Sequence, residues 1–493
     1  MLELRKNAEA NMKYQIETKP YGKYDVVVLG GGTAGCFAAI SAAREGAKTL
    51  LVERSFTLGG MLTVGNAGIT KFTEHCKDSV IYKEEVIDRL GENAEKVQVV
   101  RGLPREFAKR MIDEGCALGS HGDAGSYVFT DKARAELTLV RMLNEAGCEV
   151  LYDSRVCLVN KVGTRVESVI LANKSGFVEV EADTFIDATG DADVATLAGV
   201  PTRDGATEED LAEGGATEIG QKMAMGVMYR VGGVNFKRVF EFLGKERPDL
   251  YEKQPYGIMD YEDARASYER GDMSTFRILL DVSALGQTEL DHMQVYTLPN
   301  RSEAILLGFN CYVFGKSGTD ARDLSSVQTY LQNSVTAVFE NCVRKVPGFE
   351  NAVITNIPDV GVRETRRIVG EYTLNAMDVL RGVDFEDSVA AGGHPCDVQP
   401  LPPEVENMDF NHWRFHIPYR CMLPCGVDNL LVAGRCVSTT RIALGAVRPT
   451  AQCMAMGEAA GIAAAMAKRC SSSVKDIDVK ALRGKLLENG AVL

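Results

Sequence analysis

The chain has 493 residues, 45% apolar and 25% charged, with 55 basic against 68 acidic side chains and a formal net charge of −13. This composition excludes a disordered chain, a collagen-like chain and a disulfide-stapled miniprotein, and its length suits about two or three domains. The acidic balance and the lack of a basic tract speak against a nucleic-acid or anionic-membrane partner.

In chain order, residues 1–20 read as a polar extension without the apolar core of a secretory leader. Residues 24–29 form a short continuous apolar run, the pattern of a strand buried on both faces. Gly30 to Gly35 follow, then an Ala-rich helix over 36–45 stopped by Gly46, then a second buried strand over 48–53. Residues 76–118 read as mostly helical, and 131–146 as a helix closed by Gly147. Runs at 149–158, 165–172 and 177–186, separated by turn residues, read as an antiparallel meander.

From 206 to 410 the texture changes. Strands such as 276–282 and 303–310 alternate with helices such as 324–345, and Pro-rich 398–403 reads as a loop. Residues 427–467 return to the strand–glycine–helix style. The expected organisation is an extension (1–20), a first part of a dinucleotide domain (21–205), an inserted α+β substrate or cap domain (206–410), a second part (411–475) and a tail (476–493). The thirteen cysteines are scattered and odd in number. The low-charge run 451–467 contains Glu458 and falls short of the roughly 20 apolar residues of a bilayer span. A cytoplasmic protein with reduced thiols and no membrane association is expected.

Gly30-x-Gly32-x-x-Gly35 stands between a strand and a helix, where a dinucleotide fingerprint needs it. Gly30 allows the tight turn, Gly32 lets a pyrophosphate approach the backbone, and Gly35 lets helix and strand pack closely. The helix N-terminus offers N–H groups and partial positive charge to phosphates. Glu53 ends the second strand and can accept hydrogen bonds from ribose hydroxyls. Its charge disfavours a 2′-phosphate but does not separate FAD from NAD.

Three further features bear on that choice. Leu58-Gly59-Gly60-Met61 would let the backbone run close to a ligand. The meander ends in Ile186-Asp187-Ala188-Thr189-Gly190-Asp191. Leu430-Leu431-Val432-Ala433-Gly434-Arg435 is another buried strand ending in glycine, followed by Arg448-Pro449-Thr450 and an Ala/Gly-rich helix. Together with residues 25–54, 184–201, 362–374 and 417–467, these motifs resemble the bacterial FAD-dependent oxidoreductases of the glutathione-reductase-like group.

The resemblance implies an α/β fold with a Rossmann-like FAD-binding domain, a β-meander and an inserted α+β cap. It implies FAD contacts at Gly30, Gly32, Thr33, Ala34, Gly35, Glu53, Arg54, Gly59, Gly60, Met61, Val156, Ala188, Thr189, Gly190, Asp191, Gly434, Arg435, Arg448, Thr450 and Ala451. The dipole of the helix starting near Thr450 would favour negative charge at the flavin N1–C2=O edge. Small residues Ala455, Gly457, Gly461 and Ala463 would let that helix pack closely.

No second GxGxxG has strand and helix flanks, and no CxxxxC pair follows the second strand. Neither a built-in nicotinamide domain nor flavin–disulfide chemistry is expected. Cys421, Cys425, Cys436 and Cys453 fall in one segment with His412 and His416, but not at metal or iron–sulfur spacing, so no metal is expected.

For chemistry on substrate the candidates are His394, His416, Arg363 and Arg420. The histidines titrate near neutral pH and can take the proton released as a hydride leaves. On a strand, Arg363 and Arg367 share one face with Thr365 while Arg366 faces the other way. These arginines either clamp a carboxylate or cofactor or pair with acids such as Glu364 and Glu371. Tyr419 and Arg420 resemble the family's Ile-Pro-Tyr-Arg stretch, which implies a place near the flavin. His121 and His75 are weaker candidates.

The expected activity is hydride transfer between a small organic substrate and flavin N5, with an external electron acceptor. One alternative is fumarate-reductase-type reduction of an activated double bond, in which Arg363, Arg366 or Arg420 would outweigh His394. An alternative of another class is a flavin-using RNA-modifying or RNA-binding protein, against which the acidic charge speaks. Assembly into a homo-oligomer is left open.

Overall fold

The computed structural model describes residues 16–66, 69–70, 99–119, 127–252, 259–271, 273–286, 290–298, 302–394, 396–398 and 414–493. His75, His121, His412, most of the helical run expected over 76–118 and most of the loop expected over 398–403 lie outside them.

The apolar run 24–29 is the inner half of β1 (Lys19–Leu29), whose Val26 to Leu29 are fully buried. The chain then turns into α1 (Thr33–Arg44) and returns as β2 (Thr49–Val52), parallel to β1. Helix α2 (Leu103–Asp113) follows, then α3 (Lys132–Ala146), which starts at an Asp131 cap accepting from Arg134 N and stops at left-handed Gly147.

The expected first run of the meander is in fact two strands. β3 (Glu149–Leu151) extends the parallel sheet beside β2, and β4 (Arg155–Val162) opens the meander with β5 (Arg165–Asn173) and β6 (Gly176–Asp187). The break lies at Asp153, which takes a φ of +50° while Ser154 N donates to Glu53 O. β6 also runs parallel to β1, giving the order β3-β2-β1-β6-β5-β4.

The inserted part builds a second, antiparallel sheet from β7 (Tyr229–Gly232), β8 (Thr275–Asp281), β9 (Leu290–Leu298), β10 (Glu303–Gly308) and β11 (Val353–Asn356), in the order β8-β9-β10-β7-β11. Helix α4 (Ala321–Asn341) starts earlier than its apolar periodicity suggests because Asp320 caps Asp323 N. This sheet and α4 share a core running from Met225 to Ala352, whereas Ile368, Leu374, Val389 and Val398 pack into the first core. β12 (Leu430–Val432) adds to β6, and α5 (Thr450–Cys470) completes the fold.

Two glycines of α5 set how α1 and α5 meet. A Cβ on Gly457 would stand 2.2 Å from Ala34 O, and one on Gly461 would stand 2.1 Å from Ser41 Oγ. The small residues therefore do what the sequence suggests and bring two helix backbones into contact. Between them lies Glu458, whose carboxyl accepts Leu103 N at 3.0 Å and so caps the first turn of α2. Burial raises this carboxyl to about 8.

The arginine-rich stretch is not one strand. Short strands at Gly361–Val362 and Arg366–Ile368 are interrupted, because buried Glu364 accepts Met223 N at 2.9 Å and Arg441 Nε at 3.0 Å. Arg367 is fully buried on Asp210, Gly205 O and Thr439 O. Arg366 turns to Asp193 and the Asp191 carbonyl. Arg363 leaves in another direction, so it and Arg367 do not share a face. Among the described residues, no helix is long and apolar enough to cross a membrane.

Candidate cofactor cleft

β1, β6 and β12 run parallel and end at the same edge of the sheet, and a cavity of about 650 Å³ opens there. Its floor takes Gly30, Gly32, Thr33 and Ala34 from the β1–α1 turn, and Glu53, Arg54, Gly60 and Met61 from beyond β2. Val156, the turn 188–191, Gly434, Arg435, Arg448, Thr450 and Cys453 complete that side. The opposite wall is Leu324, Ser325, Gln328 and Gln332 of α4, with Asp359, Val360 and Val362. Thr33 and Thr450, 417 positions apart, begin two helices that start at one cleft.

The three fingerprint glycines stand in three different surroundings. Gly30 has a φ of +104°, and a Cβ there would lie 2.5 Å from Ala188 O. A Cβ on Gly35 would come within 1.8 Å of Gly30 O, so its role is packing, and it does not line the cleft. A Cβ on Gly32 would meet nothing within 4 Å, and this glycine lines the cavity. A side chain there would project into the cavity, at the place where a dinucleotide fingerprint brings a pyrophosphate to the backbone.

Glu53 braces this loop. Its Oε2 accepts Gly31 N at 2.7 Å, and its Oε1 accepts Ser55 N and Oγ at 2.8 and 2.9 Å. Oε1 is saturated by its two donors, and Oε2 keeps a second lone pair for a ribose hydroxyl. Thr33 Oγ1 donates to Gly59 O and Gly59 N to Gly31 O, so Gly59 supports the loop from behind while Gly60 and Met61 face the cleft. Ala451 is buried in α5 and, like Gly59, does not line the cavity.

Asp187 shapes the turn after β6 by accepting from Thr189 Oγ1 (2.6 Å) and Ala195 N (2.9 Å). Its burial raises its carboxyl to about 6. Burial would also raise Asp191, but Arg435 at 2.5 Å and the Thr365 hydroxyl hold its carboxyl below the usual range. Arg448 donates to Asp397 Oδ2 at 2.6 Å and to its carbonyl at 3.0 Å. Burial pushes the Arg448 guanidinium below its ordinary value against the pull of Asp397.

The four candidate catalytic side chains do not line this cavity. Arg363 donates to Ala224 O at 3.0 Å and lies over the Tyr312 ring, 4.8 Å from its centroid. His394 sits half-buried in the stretch between Gly392 and Asp397. His416 is buried on the strand Phe415–Pro418, with Nδ1 4.0 Å from Asp384, and burial and Arg414 push its imidazole down. Arg420 pairs with Asp387 at 2.9 Å and lies over Tyr372, and Tyr419 donates to Val474 O.

The α4 wall has no counterpart among the residues read from sequence. Leu324, Gln328 and Gln332 are spaced four apart, which places them on one helix face. That spacing is the signal that could have found them.

Several known proteins share parts of this pattern. A stretch of 189 residues is 30% identical to the NADH:fumarate oxidoreductase of Klebsiella pneumoniae (strain 342), covering 34% of this chain and 20% of that protein. A stretch of 205 residues is 29% identical to the fumarate reductase (cytochrome) of Shewanella frigidimarina, covering 36% of this chain and 34% of that protein. The chain thus spans about a fifth to a third of these two relatives. An uncharacterized protein in the nifH2 5′ region of Methanosarcina barkeri is 26% identical over 171 residues, which is 35% of this chain and 84% of that protein. A solved geranylgeranyl bacteriochlorophyll reductase-like protein from Thermoplasma acidophilum superimposes with a TM-score of 0.41 at 13% identity, covering 95% of this chain and 84% of that one. The profile of one family, the FAD dependent oxidoreductases, matches residues 25–486. This chain belongs to that family, and it is an oxidoreductase enzyme with FAD as its cofactor.

Proposed function

We propose that the enzyme transfers a hydride between a small organic substrate and FAD, and exchanges the electrons with an external acceptor. The observation that carries this reading is the single cleft lined both by the glycine turn before α1 and by the first turn of α5. The bound flavin supplies the two-electron chemistry. The N–H groups at the start of α1 hold the diphosphate, and Glu53 receives the ribose. The positive end of α5 and the Arg448 guanidinium favour negative charge at their end of the cleft. Helix α4 lines the opposite side.

His394 is our candidate for the proton. Its segment runs from Gly392, against Gln452, to Asp397, which holds Arg448. His416 and Arg420 are turned to Asp384 and Asp387 instead. The test is FAD loading followed by an anaerobic screen of alcohols, amines and hydroxy acids read at the visible flavin band. Bleaching by a substrate class supports the reading, and a loaded protein that no substrate or mild photoreduction bleaches refutes it.

A second reading, reduction of an activated double bond, is favoured by the fumarate reductases among the relatives. Reoxidation of the photoreduced enzyme by unsaturated acceptors under anaerobic conditions separates the two directions.

A further inference from the structure

Two segments far apart in sequence meet beside the cleft. The first is the stretch 60–66, of which Gly60, Met61, Val64 and Gly65 line the cavity. The second is 356–362, which lines it with Asp359, Val360 and Val362. Asn66 joins the two. Its Nδ2 donates to Asn356 Oδ1 at 2.8 Å and to Met228 O at 3.0 Å. Asn356 ends β11 and Met228 directly precedes β7, so one buried amide fastens the loop to two neighbouring strands of the inserted sheet. Asn66 takes a φ of +55° in doing so. A non-glycine residue in the left-handed region costs free energy and persists where its surroundings impose it. Met61 packs on the same segment, since a Cβ on Gly361 would stand 2.9 Å from Met61 Cε.

The other side of the segment is tied to α4. Residues 357–360 belong to neither a helix nor a strand. Gln328 stands in for a ladder partner: its Oε1 accepts Val360 N at 2.7 Å, and its Nε2 donates to Pro358 O at 3.2 Å. Both ends of this amide are engaged on backbone. What they fix is the wall that Asp359 and Val360 present to the cavity. A cofactor lying between the fingerprint turn and the first turn of α5 shares the cavity with that wall.

We propose that residues 356–362 form a strap that retains bound FAD, and that Asn66 and Gln328 are the positioning residues that fix it, one to the glycine loop and one to α4. Neither side chain acts on the flavin directly. Each holds backbone or a strand end whose neighbours line the cleft. Loosening either end lets the two sides part and FAD leave sooner. The strap rests on the reading of this cleft as the FAD site.

The rate of FAD release from the loaded enzyme tests it, followed by the recovery of free-flavin fluorescence on dilution. Asn66→Gly keeps the backbone conformation and removes both hydrogen bonds, and Gln328→Met keeps the side-chain length and removes both of its own. Each should speed release about tenfold, the effect of losing two hydrogen bonds of ordinary strength. Gln328→Glu, which still accepts Val360 N, should fall between Gln328→Met and the wild type. Asn356→Asp, whose carboxylate accepts the same Asn66 N–H, should hold FAD as long as the wild type does. Ser326→Ala removes an exposed hydroxyl that donates to Asp323 O within α4, and should leave release unchanged. Wild-type release in either Asn66→Gly or Gln328→Met would overturn the proposal, as would release from Ser326→Ala or Asn356→Asp as fast as from Asn66→Gly. Gly32→Ala separates the two levels of failure. If it holds FAD as the wild type does, the reading of the cleft fails and the strap with it. If it loses FAD while the Asn66 and Gln328 variants retain it, the strap alone fails.

Discussion

Gly457→Ala isolates the contact that sets the spacing of α1 and α5. In an open helix interior, Gly→Ala gains about 1 kcal/mol of backbone propensity. Gly484, where a Cβ would meet nothing within 4 Å, is such a position, in the helix Val479–Glu488. At Gly457 the new methyl would stand 2.2 Å from Ala34 O, where ordinary contact begins at 3.4 Å. Ala34 must then retreat by about 1.2 Å, and a backbone carbonyl inside a helix cannot swing aside as a side chain would. Overpacking of this kind costs about 1–3 kcal/mol. Offset by the propensity gain, Gly457→Ala should lose up to about 2 kcal/mol while Gly484→Ala gains about 1 kcal/mol. Ala34 lines the cleft, so FAD affinity should fall in the first variant and hold in the second. Urea unfolding and FAD titration by fluorescence quenching read both quantities. If Gly457→Ala matched the wild type in stability and in FAD affinity, the reasoning from helix spacing to cofactor binding would be refuted.

Gly32→Ala should give the converse pattern, with unchanged unfolding because the Cβ meets open space, and FAD affinity reduced about tenfold or more. Stability should fall as pH rises, because Glu458 has a folded-state value of about 8 against 4.5 ordinarily. The folded chain holds the extra proton between those values, so the contribution is complete below about 4.5 and is lost as pH climbs through about 8. Glu458→Gln, which still accepts Leu103 N, should flatten that slope in unfolding curves taken across the window. Arg367→Met should cost about 3–5 kcal/mol, since it strands the buried Asp210 carboxylate. A chemical-denaturation loss below about 1 kcal/mol would contradict that account of the cluster.

The glycine fingerprint was legible because its constraints are local. A positive φ at Gly30 and a closed helix–strand contact at Gly35 demand glycine whatever the rest of the chain does. The α1–α5 contact was legible for a related reason, since Gly457 and Gly461 lie one turn apart on an Ala-rich helix. The split of the 149–158 run was not legible. It depends on Ser154 N reaching Glu53 O, a bond across elements that alternation of residue types does not encode. The directions of Arg363 and Arg367 were hidden for the same reason, because Glu364 is drawn inward by Met223 and Arg441, 141 and 77 positions away. The α4 wall presents polar side chains, and a polar helix face reads as solvated until another domain is seen opposite it. Residues from Ile368 to Val398 share the mixed texture of the insertion yet pack into the first core, since texture reports local conformation and not the partner.

The placement of Thr33 and Thr450 on one cleft also fixes an order of events in the cell. A ribosome that has made the glycine turn has made only half of the site. On the proposed placement of the flavin, its capture waits until translation has passed Thr450, however early the amino-terminal sheet begins to form. A chain cut short before Thr450 keeps every residue of the fingerprint and still lacks the far end of its cradle, so an intact motif in a fragment is no guarantee of a yellow protein.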